Sequence, residues 1–154
     1  MTHDRIIFLD IDGVLNWASL RHRFGHDAID PGCVNVLVNI LKATKAKIVV
    51  HSTWRIGHVF LDSFTDSFSK FMAISGVSDA NIKTVIDSII DTTLDLPGGK
   101  GVEIREWIDS HDVKQFVVID DDAITIDNFI KTSDKTGLTT SVANQIVGAF
   151  DGQN

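Results

Sequence analysis

The chain has 154 residues, a length typical of a single domain, and we expect one domain over residues 1–154. Hydrophobic residues make up 44% of the chain and charged residues 23%, as in ordinary globular proteins. The net charge of −7 repels polyanions, which argues against tight, sequence-independent binding of nucleic acid. No apolar run approaches the roughly 18 residues of a membrane span, and the single cysteine, Cys33, excludes an internal disulfide. We therefore expect a cytoplasmic monomer or small homo-oligomer without membrane contact.

The first third of the chain combines two short apolar runs with one helical pattern. Residues 5–9 and 47–50 are largely apolar, as is typical of strands buried on both faces of a parallel sheet. Residues 14–30 look like an irregular loop. Pro31 then opens a predicted helix, and lysines crowd its C-terminal end, where cations suit the helix dipole.

The rest of the chain continues to alternate between strands and helices. The spacing of apolar residues predicts a helix over residues 56–75, whereas residues 82–90 fit a helix or a strand. The remaining predicted elements are a turn at 96–99, a helix at 102–110, a third buried strand at 116–119, a fourth strand around 128–131, and a last helix capped by Thr139 or Thr140 and running to Phe150. This order predicts an α/β fold with a mainly parallel sheet, which binds ligands at the carboxyl ends of its strands.

Two aspartates directly follow the first predicted strand. Asp10 and Asp12 are two residues apart, so an extended chain points both to one face, and Gly13 allows a sharp turn afterwards. Close carboxylates repel unless a cation lies between them, and a hard divalent ion prefers oxygen ligands. A turn capped by aspartates would explain Asp-Gly alone, but the full string after an apolar run favours a site for Mg²⁺ or Mn²⁺.

Three more acids, Asp120, Asp121 and Asp122, follow the third predicted strand. Taken alone, this string fits a solvated acidic turn as well as it fits a metal site. A second acidic strand end in the same sheet favours the metal site, because carboxylates at neighbouring strand ends can share one Mg²⁺.

Two further strings could contact a phosphate. Ser52 and Thr53 follow the second predicted strand, where hydroxyl and backbone N–H groups can bind phosphate oxygens, and Arg55 could add a bidentate contact. Lys100 lies among glycines, although the string is not a P-loop because it lacks the first glycine and the Ser/Thr after the lysine. Each is weak alone, since Ser-Thr often caps a helix and single cations often lie at the surface.

In this order, the four strings resemble the motifs of the haloacid dehalogenase (HAD) superfamily. The matching residues, in motif order, are residues 10–14, Ser52 or Thr53, Lys100, and Asp120 with Asp121. The strings at 52–55, 100–108 and 118–122 further resemble a group of HAD-type domains in RNA-repair ("Swiss army knife") proteins. The resemblance implies a three-layer, Rossmann-like fold with a mainly parallel sheet and a minimal cap domain or none.

The resemblance also implies a phosphatase with an aspartyl-phosphate intermediate. Asp10 would attack phosphorus, and Asp12 would protonate the leaving oxygen and then activate water. Mg²⁺ would be held by Asp10, the backbone carbonyl of Asp12, and Asp121 in preference to Asp120. Asp120 would position Lys100 or a metal-bound water. The second-motif hydroxyl of Ser52 and the third-motif lysine would neutralise the phosphoryl oxygens.

The short spacing between motifs bears on the substrate. About forty residues separate Asp12 from Ser52, too few for an inserted cap domain, so we expect an open site. The segment before Pro31 carries a basic and aromatic cluster that could stack a base and contact a phosphate, although a solvated loop explains it equally well. The candidate substrate contacts are Gly13, Arg21, Arg23, Thr53 and Arg55. The expected partner is a phosphorylated substrate, with nucleotides and nucleic-acid ends as candidates.

Two other functions stay open. A phosphotransferase or phosphomutase would use the same aspartate and pass the phosphoryl group to an acceptor other than water. A non-catalytic phosphate-binding module would keep the fold without turnover, which the retained acids, hydroxyl and lysine argue against. A receiver domain would carry its phospho-acceptor after a later central strand, where this chain has His51 and Ser52.

Overall fold

A computed structural model describes residues 2–153 and contains a five-stranded, all-parallel sheet flanked by helices. The elements, in chain order, are β1 (Thr2–Leu9), α1 (Ala18–Phe24), α2 (Pro31–Thr44), β2 (Lys47–Val50), a one-turn 3₁₀ helix (Thr53–Arg55), α3 (Leu61–Ile74), α4 (Asp79–Ser88), β3 (Ile89–Thr92), α5 (Lys100–Ser110), β4 (Asp112–Asp120), β5 (Phe129–Lys131) and α6 (Thr140–Asp151). The predicted α/β class with a parallel sheet is confirmed.

The strands lie in the order β3-β2-β1-β4-β5, so β1 is central. Ile7 of β1 pairs with Ile48 of β2 on one side and with Val117 of β4 on the other. The chain winds outward from β1 through β2 and β3, then crosses back to place β4 on the opposite side of β1. The carboxyl ends of β1 and β4 therefore border the switch point, which is where open α/β sheets bind ligands.

The side chains of β1 alternate between two cores. Ile7 and Leu9 belong to a large cluster with α2, α3, α4 and α6, whereas Ile6 and Phe8 pack with Ile104 and Trp107 of α5 on the other face. Burial on both faces explains the continuous apolar run in the sequence. Cys33, as a small packed residue, lies in the large cluster.

Three predicted segments need correction. The expected loop at 14–30 contains helix α1, whose residues are all at least partly exposed and whose first amide, that of Ala18, bonds to the carbonyl of Asp134 far along the chain. The helix predicted over 56–75 begins only at Leu61, because Gly57 takes a positive φ of 91° that ends the preceding turn. The ambiguous segment 82–90 is both: α4 ends at Ser88 and β3 begins at the next residue.

The other predicted elements are confirmed, with small changes at their ends. Helix α2 has Pro31 at its first position and Asp30 as its cap, and the Thr139 side chain accepts a hydrogen bond from the amide of Val142 at the start of α6. Helix α5 begins two residues earlier than expected, at Lys100. Over residues 2–153, no helix has both the length and the apolar character needed to cross a bilayer.

Candidate active site

The carboxylates of Asp10, Asp120 and Asp121 meet at the ends of β1 and β4. One carboxylate oxygen from each lies within 4.8 Å of the other two. The hydrogen bonding between β1 and β4 extends as far as the first of these residues, because the amide of Asp10 donates to the carbonyl of Ile119 at 3.2 Å. Asp10 is 4% exposed and Asp120 is fully buried, so the fold holds these charges away from bulk water.

Among residues 2–153, the ammonium group of Lys100 contacts this acidic cluster. Its ammonium donates to Asp120 Oδ2 at 2.7 Å and to Asp10 Oδ2 at 3.3 Å. Although burial disfavours the charged form, the two carboxylates raise the pKa of Lys100 above its ordinary value, so it stays protonated. Lys100, the first residue of α5, thus links the ends of β1 and β4 through its contacts with Asp10 and Asp120.

One ammonium does not balance three carboxylates. Burial, with the charge of Asp120, raises the pKa of Asp10 to about 7, against the opposing effect of Lys100. Burial and Asp120 also raise the pKa of Asp121 to about 6. The pKa of Asp120 is lowered, because hydrogen bonds from Lys100 and from the amide of Asp122 outweigh its burial. The site therefore holds excess negative charge that a further cation would relieve.

The donor set fits a hard divalent cation. Three carboxylates with oxygens within 4.8 Å of one another offer the oxygen ligands that Mg²⁺ takes. His51 adds no positive charge there, because burial lowers its pKa to about 4 despite the attraction of Asp120. Its Nε2 lies 3.2 Å from the Ile119 carbonyl, and within the described part of the chain its Nδ1 has no hydrogen-bond partner.

Gly13 lets the chain pass close to Asp121. Its φ is +78°, and a Cβ at this position would lie 2.3 Å from Asp121 Cγ. The Gly13 carbonyl accepts a hydrogen bond from the Thr132 hydroxyl at 2.7 Å, so this turn is fixed from both sides. Only glycine fits here while Asp121 keeps its place.

Asp12 stands beside the cluster and is held by a residue that the sequence patterns did not single out. The Asn16 amide donates to Asp12 Oδ1 at 3.0 Å, and the side chain of Asn16 is fully buried. Asn16 follows Asp12 by four residues, which is the spacing of one helical turn. The backbone does form such a turn here, because the amide of Leu15 donates to the carbonyl of Ile11. This spacing was the one feature of the sequence that could have indicated the contact between Asn16 and Asp12.

The end of β2 brings Ser52 and Thr53 to the same edge of the sheet. Ser52 is buried, and its hydroxyl caps the 3₁₀ helix by accepting from the amide of Trp54 at 3.2 Å. Thr53 is exposed and lines a cleft that also contains Asp12. The Ser52 hydroxyl thus caps the 3₁₀ helix, a common role for serine. It also lies at the carboxyl end of β2, next to the end of β1.

The prediction that the Arg55 guanidinium contacts phosphate is wrong. Arg55 is 7% exposed, and Nη2 forms a 2.6 Å ion pair with Glu103 of α5. Its other N–H groups donate to four backbone carbonyls, those of His51, Ser52, Thr93 and Leu94. This arginine joins the end of β2 to the start of α5, and its donors are consumed inside the fold.

The two arginines of helix α1, Arg21 and Arg23, have different surroundings. The prediction that Arg21 contacts substrate is wrong. Both of its terminal nitrogens bind Asp134, at 2.8 and 2.9 Å, and Nη1 also donates to Asn16 Oδ1 at 2.7 Å. Arg23 is exposed, with its guanidinium 5.2 Å from the ring centre of Phe24. Of the pair, Arg23 alone remains exposed to solvent.

A cleft of about 360 Å³ opens beside Asp12 and Thr53. Its other walls come from the segment before α2, the turn after β2 and helix α3, and the lining includes His26, Trp54, His58 and Phe71. The ring of Trp54 is fixed by edge-on contacts with Phe68 and Phe71, at centroid distances of 6.0 and 5.7 Å. An aromatic cleft thus adjoins the acidic end of β1.

Comparison with known proteins agrees with this geometry. A family model described as "HAD domain in Swiss Army Knife RNA repair proteins" matches residues 6–143, which include the acidic cluster, Lys100 and the end of β2. Searches of curated proteins and of solved structures give no significant match. Because the family match covers most of the chain, the protein belongs to the family of HAD domains found in Swiss Army Knife RNA repair proteins.

Proposed function

We propose that this HAD domain is a Mg²⁺-dependent phosphomonoester hydrolase that acts through an aspartyl-phosphate on Asp10. The observation that carries the proposal is the imbalance of charge at the switch point, where three carboxylates face one ammonium. Without a further cation, a buried carboxylate there is poorly compensated, and a bound cation would in turn attract the phosphate of a substrate.

Asp10, the backbone carbonyl of Asp12, and Asp121 would hold Mg²⁺, which when bound neutralises charge on the carboxylates and on the phosphoryl oxygens. Asp120 has both oxygens engaged, by Lys100 and by the amide of Asp122, which favours Asp121 as the third ligand. Lys100 lies 3.3 Å from Asp10 and would contact the phosphoryl group as it reaches that carboxylate.

In the first step, an Asp10 carboxylate oxygen attacks phosphorus and the bond from phosphorus to the ester oxygen breaks. Asp12 donates its proton to that leaving oxygen, so the product departs as a neutral alcohol and Asp12 becomes a carboxylate. Asp12 lies on the wall of the 360 Å³ cleft, so the leaving group would occupy this cleft.

In the second step, the Asp12 carboxylate takes a proton from water, whose oxygen attacks phosphorus. The bond between phosphorus and the Asp10 oxygen breaks, which releases inorganic phosphate and restores both aspartates to their starting states. The Ser52 hydroxyl, at the end of β2, is the further group we assign to the phosphoryl oxygens.

The cleft supports a nucleoside as the leaving group. Aromatic side chains such as Trp54 stack on bases regardless of base identity, and His26 and His58 add imidazole rings to the wall. The candidate substrates are therefore nucleotides and nucleic-acid ends, with the terminal nucleoside in the cleft.

The test is release of inorganic phosphate from a panel of phosphorylated small molecules, mononucleotides, and oligonucleotides with 3′- or 5′-phosphates. Activity should require Mg²⁺ and disappear in EDTA. Asp10→Asn keeps the side-chain shape but removes the nucleophile, and should lower the rate by at least about 10³-fold. Asp109→Asn makes the same change on an exposed residue near the far end of α5 and should retain the wild-type rate.

Each other outcome has its own meaning. Phosphate release that survives in Asp10→Asn would remove Asp10 as the nucleophile. Phosphoryl transfer to an added alcohol, without phosphate release, would identify a phosphotransferase or phosphomutase. Mg²⁺-dependent binding of phosphate without turnover of any substrate would identify a binding module.

A further inference from the structure

The Asn16 side chain has all of its hydrogen-bonding capacity used within one small network. Its amide nitrogen donates to Asp12 Oδ1 and to the carbonyl of Ala28, both at 3.0 Å. Its Oδ1 accepts from the amide of Gly13 at 2.9 Å and from Arg21 Nη1 at 2.7 Å. Backbone amides and guanidinium groups can only donate, so the Asn16 oxygen must face them and its nitrogen must face Asp12.

A buried asparagine with two donors and two lone pairs in use cannot rotate without losing several bonds. Arg21 is in turn fixed by its two bonds to Asp134. The Asp134 carbonyl also accepts from the amide of Ala18, the first residue of α1. The turn after β5 therefore anchors α1 through Asp134, α1 supplies Arg21, and Arg21 holds Asn16.

The contact to Asp12 has a chemical consequence. The Asn16 donor occupies Asp12 Oδ1, so Oδ2 is the oxygen left to face a reacting group. Among the described residues, no hydrogen bond to Oδ2 is formed, and the Asp12 side chain borders the cleft. The network thus holds the Asp12 carboxyl through Oδ1 and leaves Oδ2 available to a reacting group.

We propose that Asn16 is a positioning residue that aims the Asp12 carboxyl at the leaving-group oxygen, and that the Arg21–Asp134 pair holds Asn16 in place. This proposal rests on the role of Asp12 as the acid in the proposed function. It gives Arg21 and Asp134 a part in the reaction through Asn16, without contact with the substrate.

The experiment uses the dependence of acid catalysis on the leaving group. Nitrophenolate departs readily without a proton, whereas an alkyl alkoxide needs one. We would measure kcat/KM, which reports events up to the first irreversible step, for p-nitrophenyl phosphate and for glycerol phosphate. The variants are Asp12→Asn, Asn16→Ala and Asp134→Asn, each checked for cooperative thermal unfolding.

Asp12→Asn should lower kcat/KM for the alkyl ester at least about tenfold more than for the aryl ester. Asn16→Ala should shift this ratio in the same direction, and Asp134→Asn should do so by a smaller factor. Asp87→Asn, which breaks the exposed Lys83–Asp87 ion pair, should leave the ratio unchanged. If Asn16→Ala does not fold, Asp134→Asn carries the test, because the Asp134 side chain is 37% exposed.

A residue that only supports the fold would lower kcat/KM for both esters by the same factor. That result in Asn16→Ala and Asp134→Asn, with the leaving-group effect present in Asp12→Asn, would overturn the positioning role and leave the proposed function standing. Absence of the leaving-group effect in Asp12→Asn would remove the acid role itself, and the positioning role with it.

Discussion

Two regions lie at one edge of the same sheet: the ends of β1 and β4, and the end of β2. Buried charge is incompletely compensated in the first region and fully compensated in the second. At the first, three carboxylates share one lysine, and the pKa values of Asp10 and Asp121 rise. At the second, Arg55 is matched by Glu103 and by four backbone carbonyls. The first region has charge left over for a ligand, whereas the second has none.

The difference shows how to separate a site from its support. A buried charge with complete partners stabilises the arrangement around it, and Arg55 fixes the segment with Ser52 against the helix that begins with Lys100. A buried group of like charges with incomplete partners calls for a cation. Residue type alone does not show whether a buried charge supports the fold or belongs to a binding site. The hydrogen bonds and ion pairs of that charge distinguish the two.

Breaking the balanced region should give the largest loss of stability. Arg55→Ala leaves Glu103 buried without its cation, and removing one partner of a buried ion pair costs about 3–5 kcal/mol. We expect this loss in chemical denaturation. Lys83→Ala, which removes an exposed ion pair, should change stability little. A small effect of Arg55→Ala would show that its charge is not compensated internally as described.

Mg²⁺ affinity should separate the two acids at the end of β4. Loss of a neighbour that orients metal ligands typically costs about 10–100-fold in affinity, so Asp120→Ala should fall in that range and Asp121→Ala should exceed it. Isothermal titration calorimetry with Mg²⁺ measures both, with the exposed Asp122→Ala as the control. The reverse order would transfer the ligand role to Asp120.

The unbalanced charge should also appear in the pH dependence of stability. Because the pKa of Asp10 is raised to about 7, the folded protein keeps a proton that the unfolded chain loses near pH 4, so the Asp10 contribution falls as pH rises from 4 through 7. His51 has the opposite slope, since its pKa is lowered to about 4 and the unfolded chain binds the extra proton.

A comparison with Asp10→Asn isolates the aspartate from the histidine. Without metal, the variant should become more stable than the wild type as pH rises to 7.5, by at least about 1 kcal/mol, or roughly 2–4 °C in Tm for a domain of this size. Added Mg²⁺ should close that gap by stabilising only the wild type. Differential scanning calorimetry at pH 4.5 and 7.5 measures it, and a gap that is constant with pH would contradict the assigned charge state.

The smallest effect should come from the exposed arginine. Arg23→Glu should raise KM for nucleotides and oligonucleotides by only a few-fold, since solvent and salt screen an exposed charge. Lys42→Glu, on the exposed face of α2, is the matched reversal and should leave KM unchanged. An unchanged KM in Arg23→Glu would remove this residue from substrate binding.

The parts of the fold predicted from sequence are those whose cause is local. Burial on both faces marks β1, β2 and β4 as apolar runs, and Pro31 and Thr139 mark helix starts. Helix α1 has no such mark: its seven residues bury no side chain, and its cap residue Trp17 offers no side-chain bond. Its position depends on the contact of Ala18 with Asp134, which no local pattern reveals.

The contacts at the candidate site follow the same rule: those with a local cause could be expected from the sequence, and those between distant residues could not. Asp10, Asp12 and Asp120–Asp122 could be grouped because strand ends of one parallel sheet meet at one edge. The partners of Arg55 and Arg21 could not be foreseen, since Glu103 is 48 residues away from the first and Asp134 is 113 from the second. Val59 and Phe60 fit a helical spacing but are 87% and 74% exposed, because helix α3 starts after them.

The most direct experiment determines which residue receives the phosphoryl group. Substrate labelled in its phosphate would be mixed with enzyme and Mg²⁺, quenched in acid within one turnover, and the digested protein mapped. We expect an acid-stable, hydroxylamine-sensitive label on the peptide that contains Asp10, and no label in EDTA or in Asp10→Asn. A label on another residue, or full phosphate release by Asp10→Asn, would contradict this expectation.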